Sequence, residues 1–83
     1  MADFTLYTRK GCSQCDKAKE LLQEFGYTYH ELNVDVHKKY LLERFPEIKK
    51  LPVIMHADDT LLGSLTELEQ FFKDEVELDN GNV

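Results

Sequence analysis

The N-terminal part of the chain switches from a strand pattern to a helical pattern and back, and this order limits the possible folds more than any other feature. Apolar and polar side chains alternate over residues 3–8, as in a β-strand. Over residues 13–25 the apolar side chains recur at helical spacing, and Gly26 supplies a helix stop. Residues 28–34 are again rich in β-formers. Such a strand–helix–strand unit predicts two parallel strands joined by a right-handed crossover.

The middle of the chain predicts a second helix and a hairpin. Asp35 is a good N-cap for a helix over about residues 37–45, and Pro46 ends that helix. Two short β-forming runs, residues 52–57 and 60–62, flank a pair of aspartates that suit a turn. A hairpin is the simplest interpretation of this segment, and it adds antiparallel strands beside the parallel pair.

The C-terminal part predicts a last helix and a short tail. Ser64 and Glu67 have the spacing of a capping box, and the apolar residues after them continue at helical spacing to about Val76. Residues 77–83 offer little to bury, so we expect a single domain over residues 1–76 followed by a flexible tail. The element order βαβαββα predicts an α/β fold with a four-stranded mixed sheet and three helices on its faces.

Composition limits the classes of partner. The chain has 16 acidic and 10 basic residues and a net charge of −6, which argues against nucleic-acid binding by bulk electrostatics. Its start lacks the basic residues and apolar run of a signal peptide, and no apolar stretch approaches the roughly 18 residues of a membrane span. We therefore expect a cytoplasmic monomer that contacts small molecules or proteins and does not bind nucleic acid or membranes.

Cys12 and Cys15 are the only cysteines, and they lie where the first predicted strand gives way to the first helix. Open α/β sheets usually place their chemistry at such carboxyl ends of strands. Two thiols one helical turn apart can close a disulfide, and unpaired N–H groups at a helix start favour a thiolate over a thiol. In a reducing cytoplasm a lone CxxC pair is more often catalytic or metal-binding than a permanent disulfide. The spacing alone leaves redox catalysis, metal binding and a structural bond open.

The histidines give little support to a metal site. A closed zinc site needs about four ligands, of which the CxxC pair supplies two. His30, His37 and His56 are scattered along the sequence without the paired spacing of zinc motifs. We therefore expect no metal ligand among the site residues, and a metal-binding module is the less favoured alternative.

Three separated motifs resemble those of the glutaredoxins. They are residues 7–15 around the cysteines, residues 51–53 before the hairpin and residues 63–67 before the last helix. The resemblance covers about residues 4–72 and implies the thioredoxin fold. It also implies a thiol–disulfide oxidoreductase that reduces protein disulfides or glutathione mixed disulfides, with glutathione as co-substrate and no tightly bound cofactor.

The same resemblance implies roles for individual residues. Cys12 would be the nucleophile and Cys15 the resolving thiol. Arg9, three positions before the first cysteine, would help to hold a glutathione carboxylate. Pro52 would be the family's cis-proline, which turns the Leu51 backbone towards substrate.

Further candidate binding residues lie at the start of two helices. Leu65 and Thr66 fall where the last helix would receive the γ-glutamyl carboxylate, because free N–H groups at a helix start bind anions. Glu67 lies beside them in place of an aspartate that is common in the family, and it is a candidate either to contact glutathione or to cap the helix. Gln14, at the start of the first helix, would contact a partner beside the thiolate.

Other positions depart from the usual glutaredoxin pattern. Ser13 and Gln14 stand between the cysteines, Ser64 replaces a second glycine, and Lys50 replaces a threonine two residues before Pro52. These features are similar to the small redoxins that serve ribonucleotide reductase and are recharged by thioredoxin reductase. The electron donor therefore remains open between glutathione and that reductase, and ribonucleotide reductase is a candidate partner. The family also implies a further alternative, an iron–sulfur cluster shared between two subunits. A non-catalytic adaptor that binds proteins through the groove at Pro52 is another alternative, although two intact cysteines argue against it.

Overall fold

The chain forms four strands and three helices in the predicted order βαβαββα. The computed structural model describes residues 2–48 and 50–80, and for residues 75–80 it describes the backbone alone. The elements are β1 (Phe4–Thr8), α1 (Ser13–Glu24), β2 (Tyr29–Asn33), α2 (Val34–Arg44), β3 (Val53–His56), β4 (Leu61–Gly63) and α3 (Leu65–Asn80). None of the helices in this part of the chain is long and apolar enough to cross a membrane.

The sheet is mixed, with the strand order β2-β1-β3-β4. β1 and β2 are parallel, with Phe4 opposite Tyr29 and Thr8 opposite Asn33, whereas β3 is antiparallel to both β1 and β4. This confirms the predicted four-stranded mixed sheet. Because β1 and β2 end side by side, the loop after β1 and the start of α2 meet at the same edge of the sheet.

The sheet divides the core into two clusters. The face covered by α1 and α3 buries Phe4, Leu6, Ala18, Leu22, Ile54, Leu68 and Phe72. The face covered by α2 buries Tyr7, Val34, Leu41, Val53 and Met55. The two clusters follow from the alternation of side chains along β1 and β3, because successive residues of a strand face opposite sides of the sheet.

An aromatic contact holds the end of α1 against α3. The rings of Phe25 and Phe72 are stacked, with centroids 4.2 Å apart and planes only 4° from parallel. Both helices are therefore fixed on the same face of the sheet, and α1 carries the second cysteine with it.

The start of α2 differs from the prediction. Asn33, not Asp35, is the N-cap, and its side-chain oxygen accepts the Asp35 N–H at 2.7 Å. Both residue types make good caps, and the position of Val34 decides between them, because this buried side chain belongs to the core on the α2 face. Asp35 is consequently inside the first turn of the helix, which leaves its carboxylate available for another contact.

The end of α3 also differs from the prediction. The helix continues to Asn80, four residues beyond the predicted end at Val76. The sequence contains good helix formers over this stretch and has no glycine or proline before Gly81. The helix therefore enters the segment predicted to be a tail, and residues 81–83 of that tail lie outside the described residues.

Candidate active site

The two cysteines lie at the edge of the sheet where β1 ends. Gly11 takes a positive φ of 82° in the connecting turn, and Cys12 follows as the N-cap of α1. The Cys12 N–H donates to the Arg9 carbonyl at 3.3 Å, which closes the turn. Both cysteines are in the free thiol form. Their exposure differs, because Cys12 is half-buried whereas Cys15 is only 1% exposed.

The Cys12 sulfur takes the place of the usual side-chain oxygen at a helix N-cap. Its Sγ accepts the backbone N–H of Cys15 at 3.1 Å. N–H groups at a helix start are short of partners, and they favour negative charge on an atom that faces them. The Cys12 sulfur is therefore both accessible and in direct contact with a backbone N–H at the helix start.

Cys15 has the opposite surroundings. Burial raises the pKa of its thiol to about 11, and a hydrogen bond with Cys12 adds to this shift. The Cys15 sulfur is consequently protonated at neutral pH and screened from solvent. The pair combines an accessible sulfur at a helix start with a buried neutral thiol one turn further along the helix.

A polar network ties the start of α1 to the sheet. The Thr8 hydroxyl donates to the Glu31 carboxylate at 2.7 Å, and the Lys19 ammonium contacts the same carboxylate oxygen at 3.0 Å. Hydrogen bonds from Thr8 and Lys19 lower the pKa of Glu31. Because Lys19 lies one turn after Cys15, these contacts fix the rotation of α1 and with it the placement of both cysteines.

The segment before β3 borders a small cationic pocket. The Leu51–Pro52 peptide bond is cis, Pro52 is buried and Leu51 is half-buried. The pocket has a volume of about 200 Å³ and is lined by Arg9, Val34, Lys38, Leu41, Leu42, Ile48, Lys50 and Leu51. Three cationic side chains therefore surround an apolar floor next to the Leu51 backbone.

Arg9 lies at this pocket, but its guanidinium already has a carboxylate partner. Its Nη2 is 2.7 Å from Oδ1 of Asp35, and its Nε donates to Oδ2 at 3.2 Å. The hydrogen bond from Arg9 holds the pKa of Asp35 below its usual range. Any carboxylate ligand that uses Arg9 must therefore bind beside Asp35 or replace it.

The start of α3 also has a carboxylate of this chain bound to it. Glu67 Oε1 accepts the Ser64 N–H at 2.7 Å and the Ser64 hydroxyl at 2.9 Å. These bonds lower the pKa of Glu67. The capping role predicted for Glu67 is confirmed, and the serine hydroxyl also donates to the glutamate carboxylate.

The remaining predicted binding residues have unequal exposure. The Leu65 side chain packs against the core on the α1 and α3 face, which leaves only its backbone to contact a ligand. Thr66 is exposed at the start of α3, and Gln14 is exposed in the first turn of α1. Gln14 therefore lies next to the half-buried Cys12, where a bound partner would reach it.

Sequence reasoning missed two charged residues of the site, Asp35 and Lys38. Asp35 was interpreted as a cap and Lys38 as part of an ordinary helix. The parallel pairing of β1 and β2 could have identified them, since it brings the residues after both strands to one edge of the sheet.

Metal ligands do not cluster in the described part of the chain. Among residues 2–48 and 50–80, no group of three His, Cys, Asp or Glu side chains converges as a bound metal ion requires. Cys12 and Cys15 would supply two of the roughly four ligands that a closed zinc site needs.

The comparisons with solved structures agree on the fold. The chain is similar to glutaredoxin from Brucella melitensis, with a TM-score of 0.70 and 29% identity over 96% of this chain and 87% of that one. It is similar to glutaredoxin C1 from Populus tremula x tremuloides, with a TM-score of 0.75 and 16% identity over 94% of this chain and 81% of that one. It is also similar to the NrdH-redoxin from Escherichia coli, with a TM-score of 0.61 and 28% identity over 75% of this chain and 82% of that one.

The comparison with family models identifies the family. No curated protein sequence matches the chain significantly. The glutaredoxin family model matches residues 4–60, which include both cysteines and the Leu51–Pro52 segment. The four-stranded mixed sheet with three helices is the thioredoxin fold of the similar structures. The chain therefore belongs to the glutaredoxin family.

Proposed function

We propose that this protein is a dithiol–disulfide oxidoreductase in which Cys12 attacks and Cys15 resolves. The observation that carries the proposal is the contrast between the two thiols. Cys12 is accessible and accepts a helix-start N–H, whereas burial raises the pKa of Cys15 to about 11. A substrate disulfide can therefore reach Cys12. The Cys15 thiol stays protonated at neutral pH, and it attacks only after a mixed disulfide has formed at Cys12.

The proposed cycle transfers two electrons in two exchange steps. The Cys12 thiolate attacks one sulfur of the substrate disulfide, forms a mixed disulfide and releases the other substrate sulfur as a thiolate. Cys15 then loses its proton and attacks the Cys12 sulfur, which releases the second substrate thiol and leaves a Cys12–Cys15 disulfide. Two glutathione molecules then restore the dithiol and leave as one molecule of oxidised glutathione.

Charge around the cysteines supports glutathione as the electron donor. The cationic pocket brings Arg9, Lys38 and Lys50 around the segment that carries Leu51. A glutathione carboxylate bound there would face cationic groups, and its peptide backbone could pair with the backbone of Leu51. The γ-glutamyl carboxylate would lie at the start of α3, near the N–H groups of Leu65 and Thr66.

A second candidate donor is thioredoxin reductase, with ribonucleotide reductase as the final electron acceptor. Ser13 and Gln14 between the cysteines, together with Lys50, support this candidate. A structural neighbour at 28% identity, the NrdH-redoxin of Escherichia coli, is described as a glutaredoxin-like protein with a thioredoxin-like activity profile.

The deciding experiment is a disulfide-reduction assay with two separate donors. The protein would reduce a model protein disulfide and a glutathionylated peptide with glutathione plus glutathione reductase, and in parallel with thioredoxin reductase. We expect turnover with the glutathione system. Turnover with thioredoxin reductase alone would replace glutathione by the second candidate, and turnover with neither would contradict the oxidoreductase proposal.

Two serine variants test the roles of the thiols. Cys12→Ser should lose activity with both substrates, and retained turnover would contradict its role as nucleophile. Cys15→Ser should lose reduction of the protein disulfide but keep activity on the glutathionylated peptide, where glutathione itself can resolve the mixed disulfide. Loss of both activities in Cys15→Ser would exclude this single-thiol route.

A further inference from the structure

We infer that Asp35 is a specificity-determining residue, which competes with a ligand carboxylate for Arg9 and so disfavours glutathione relative to uncharged thiols. The inference rests on the proposed function, since it takes glutathione as the ligand at the cationic pocket. It is carried by the two-point contact between the Asp35 carboxylate and the Arg9 guanidinium, at 2.7 and 3.2 Å. Paired contacts of this kind have the geometry in which arginine also binds a free carboxylate.

The fold holds Asp35 beside Arg9. Asn33 caps α2 and accepts the Asp35 N–H at 2.7 Å, which fixes the first turn of the helix. Thr8 lies opposite Asn33 in the parallel pair, so the residues that follow the two strands, among them Arg9 and Asp35, lie at the same edge of the sheet. The N-terminus of α2 also favours a negative charge at this position. Asp35 is therefore an anion supplied by the scaffold at the place where a ligand anion is expected.

The contact leaves the ligand with fewer cationic partners. Asp35 neutralises Arg9, while Lys38 and Lys50 remain at the rim of the cationic pocket. A glutathione carboxylate must then either displace Asp35 from Nε and Nη2 of Arg9 or bind close to the negatively charged Asp35 carboxylate. Either course lowers the affinity for a ligand with a carboxylate relative to a ligand without one.

The expected effect is modest because the pair is half exposed. The side chains of Arg9 and Asp35 are 51% and 56% exposed, so water and salt screen their attraction. Removal of the competing carboxylate should strengthen binding of a carboxylate ligand by about two- to fivefold, the range expected for an exposed ion pair. Asp35 therefore lowers the preference for glutathione over uncharged thiols, but it does not prevent the use of glutathione.

The test measures mixed-disulfide formation in a Cys15→Ser background, where Cys12 cannot be resolved internally. The equilibrium constant is determined for exchange of the Cys12 thiolate with oxidised glutathione, which releases one glutathione thiolate. The same constant is determined with 2-hydroxyethyl disulfide, which carries no carboxylate. Asp35→Asn should raise the ratio of the glutathione constant to the 2-hydroxyethyl disulfide constant about two- to fivefold, because any effect of the substitution on the Cys12 thiolate itself is common to both constants. An unchanged or reduced ratio of the two constants would contradict the inference.

A matched control separates competition from a loss of net charge. Glu43 is another exposed carboxylate of α2, and Glu43→Gln removes the same formal charge from the same helix. This variant should leave the ratio of the two constants unchanged. An equal rise in Glu43→Gln would mean that overall charge, and not Arg9, sets the preference.

A second pair of variants tests whether Asp35 acts through Arg9. Arg9→Gln should lower the glutathione constant, and the gain from Asp35→Asn should shrink when both substitutions are present. An undiminished gain in the double variant would show that Asp35 repels the ligand directly and would contradict the competition. Thermal unfolding of each variant shows that the compared proteins are folded.

The exchange test of Asp35 and the donor assay of the proposed function can fail independently. If glutathione does not support turnover but Asp35→Asn still raises the ratio of constants, the donor assignment fails and the inference stands. If glutathione supports turnover and the ratio does not respond to Asp35→Asn, the donor assignment stands and the inference fails.

Discussion

Two carboxylates of this chain, Asp35 and Glu67, lie beside the two places where we propose that glutathione carboxylates bind, and they are held in different ways. Glu67 bonds to Ser64, three residues earlier, and caps the helix that it belongs to. Asp35 bonds to Arg9, which is 26 residues away in sequence, across the end of the sheet. Glu67 therefore pairs with a backbone N–H that the helix itself leaves without a partner. Asp35 instead neutralises the Arg9 guanidinium, which is half exposed to solvent.

This difference predicts that the two carboxylates contribute to different properties. An unpaired N–H at a helix start costs stability, and a local cap removes that cost. An exposed arginine costs little when it is left without a partner, so its ion pair adds little to stability. Glu67 should matter mainly for folding, and Asp35 mainly for the choice of ligand.

The largest expected effect on stability comes from Gly63→Ala, next to Glu67. Gly63 has a φ of 136°, and an added Cβ would lie 2.5 Å from Cγ of Glu67 and 2.7 Å from its Cβ. Strain together with displacement of the cap should lower the free energy of unfolding by about 2–4 kcal/mol. Urea unfolding measures the loss.

Gly26→Ala is the matched control for this prediction. Gly26 also has a positive φ, 78°, but an added Cβ would meet no atom within 4 Å. Its cost should be about 1 kcal/mol, from the backbone conformation alone. Equal losses at the two glycines would mean that the close approach of Glu67 has no energetic consequence.

Removal of the cap itself should have an intermediate effect. Glu67→Ala leaves the Ser64 N–H without its carboxylate partner and should lower the free energy of unfolding by about 1 kcal/mol. Glu67→Gln should lose less, because an amide oxygen can still accept the N–H. Thermal or urea unfolding of both variants measures this, and equal stability of Glu67→Ala and the unsubstituted protein would contradict the capping role.

The contribution of Glu67 should also depend on pH. Its bonds with Ser64 lower the pKa of Glu67 in the folded state, so its charged form stabilises the fold above the pKa of the unfolded chain. That stabilisation is lost as the pH falls through the folded pKa. The difference in unfolding free energy between the unsubstituted protein and Glu67→Gln should therefore shrink between about pH 5 and pH 3. A difference that stays constant over this range would contradict an ionic contribution.

The smallest expected effect on stability is that of Asp35→Asn. Its unfolding free energy should lie closer to that of the unsubstituted protein than the value for Glu67→Ala, because both partners of the lost pair are exposed. The effect of this substitution on the glutathione constant should fade as sodium chloride rises from about 0.05 to 0.5 M, since exposed charges are screened. A loss of stability as large as that of Glu67→Ala would remove the proposed difference between the two carboxylates.

The sequence was sufficient to predict the element order, the mixed sheet and the position of the cysteine pair. Periodic apolar residues mark each helix, and Gly26 and Pro46 mark where two of them end. The start of α2 was predicted wrongly because Asn33 and Asp35 are equally good caps in isolation. Burial of Val34 decides between them, and burial depends on packing against strands that are distant in sequence.

The site was less predictable than the fold. Glu67 and Ser64 interact within one helical turn, so their spacing was enough to predict the contact. The contact between Arg9 and Asp35 depends on which strands are neighbours and in which register. Burial of Cys15, and the raised pKa that results, also requires the packed helix and could not be read from the CxxC spacing.

The two outer strands of the sheet have a consequence for association between molecules. β4 has three residues, Leu61–Gly63, and the outer strand on the other side, β2, presents the exposed polar side chains of His30, Glu31 and Asn33. A short edge and an edge with a charged side chain are both poor templates for another β-strand. The unpaired edges of this sheet therefore offer little for the chain to aggregate on.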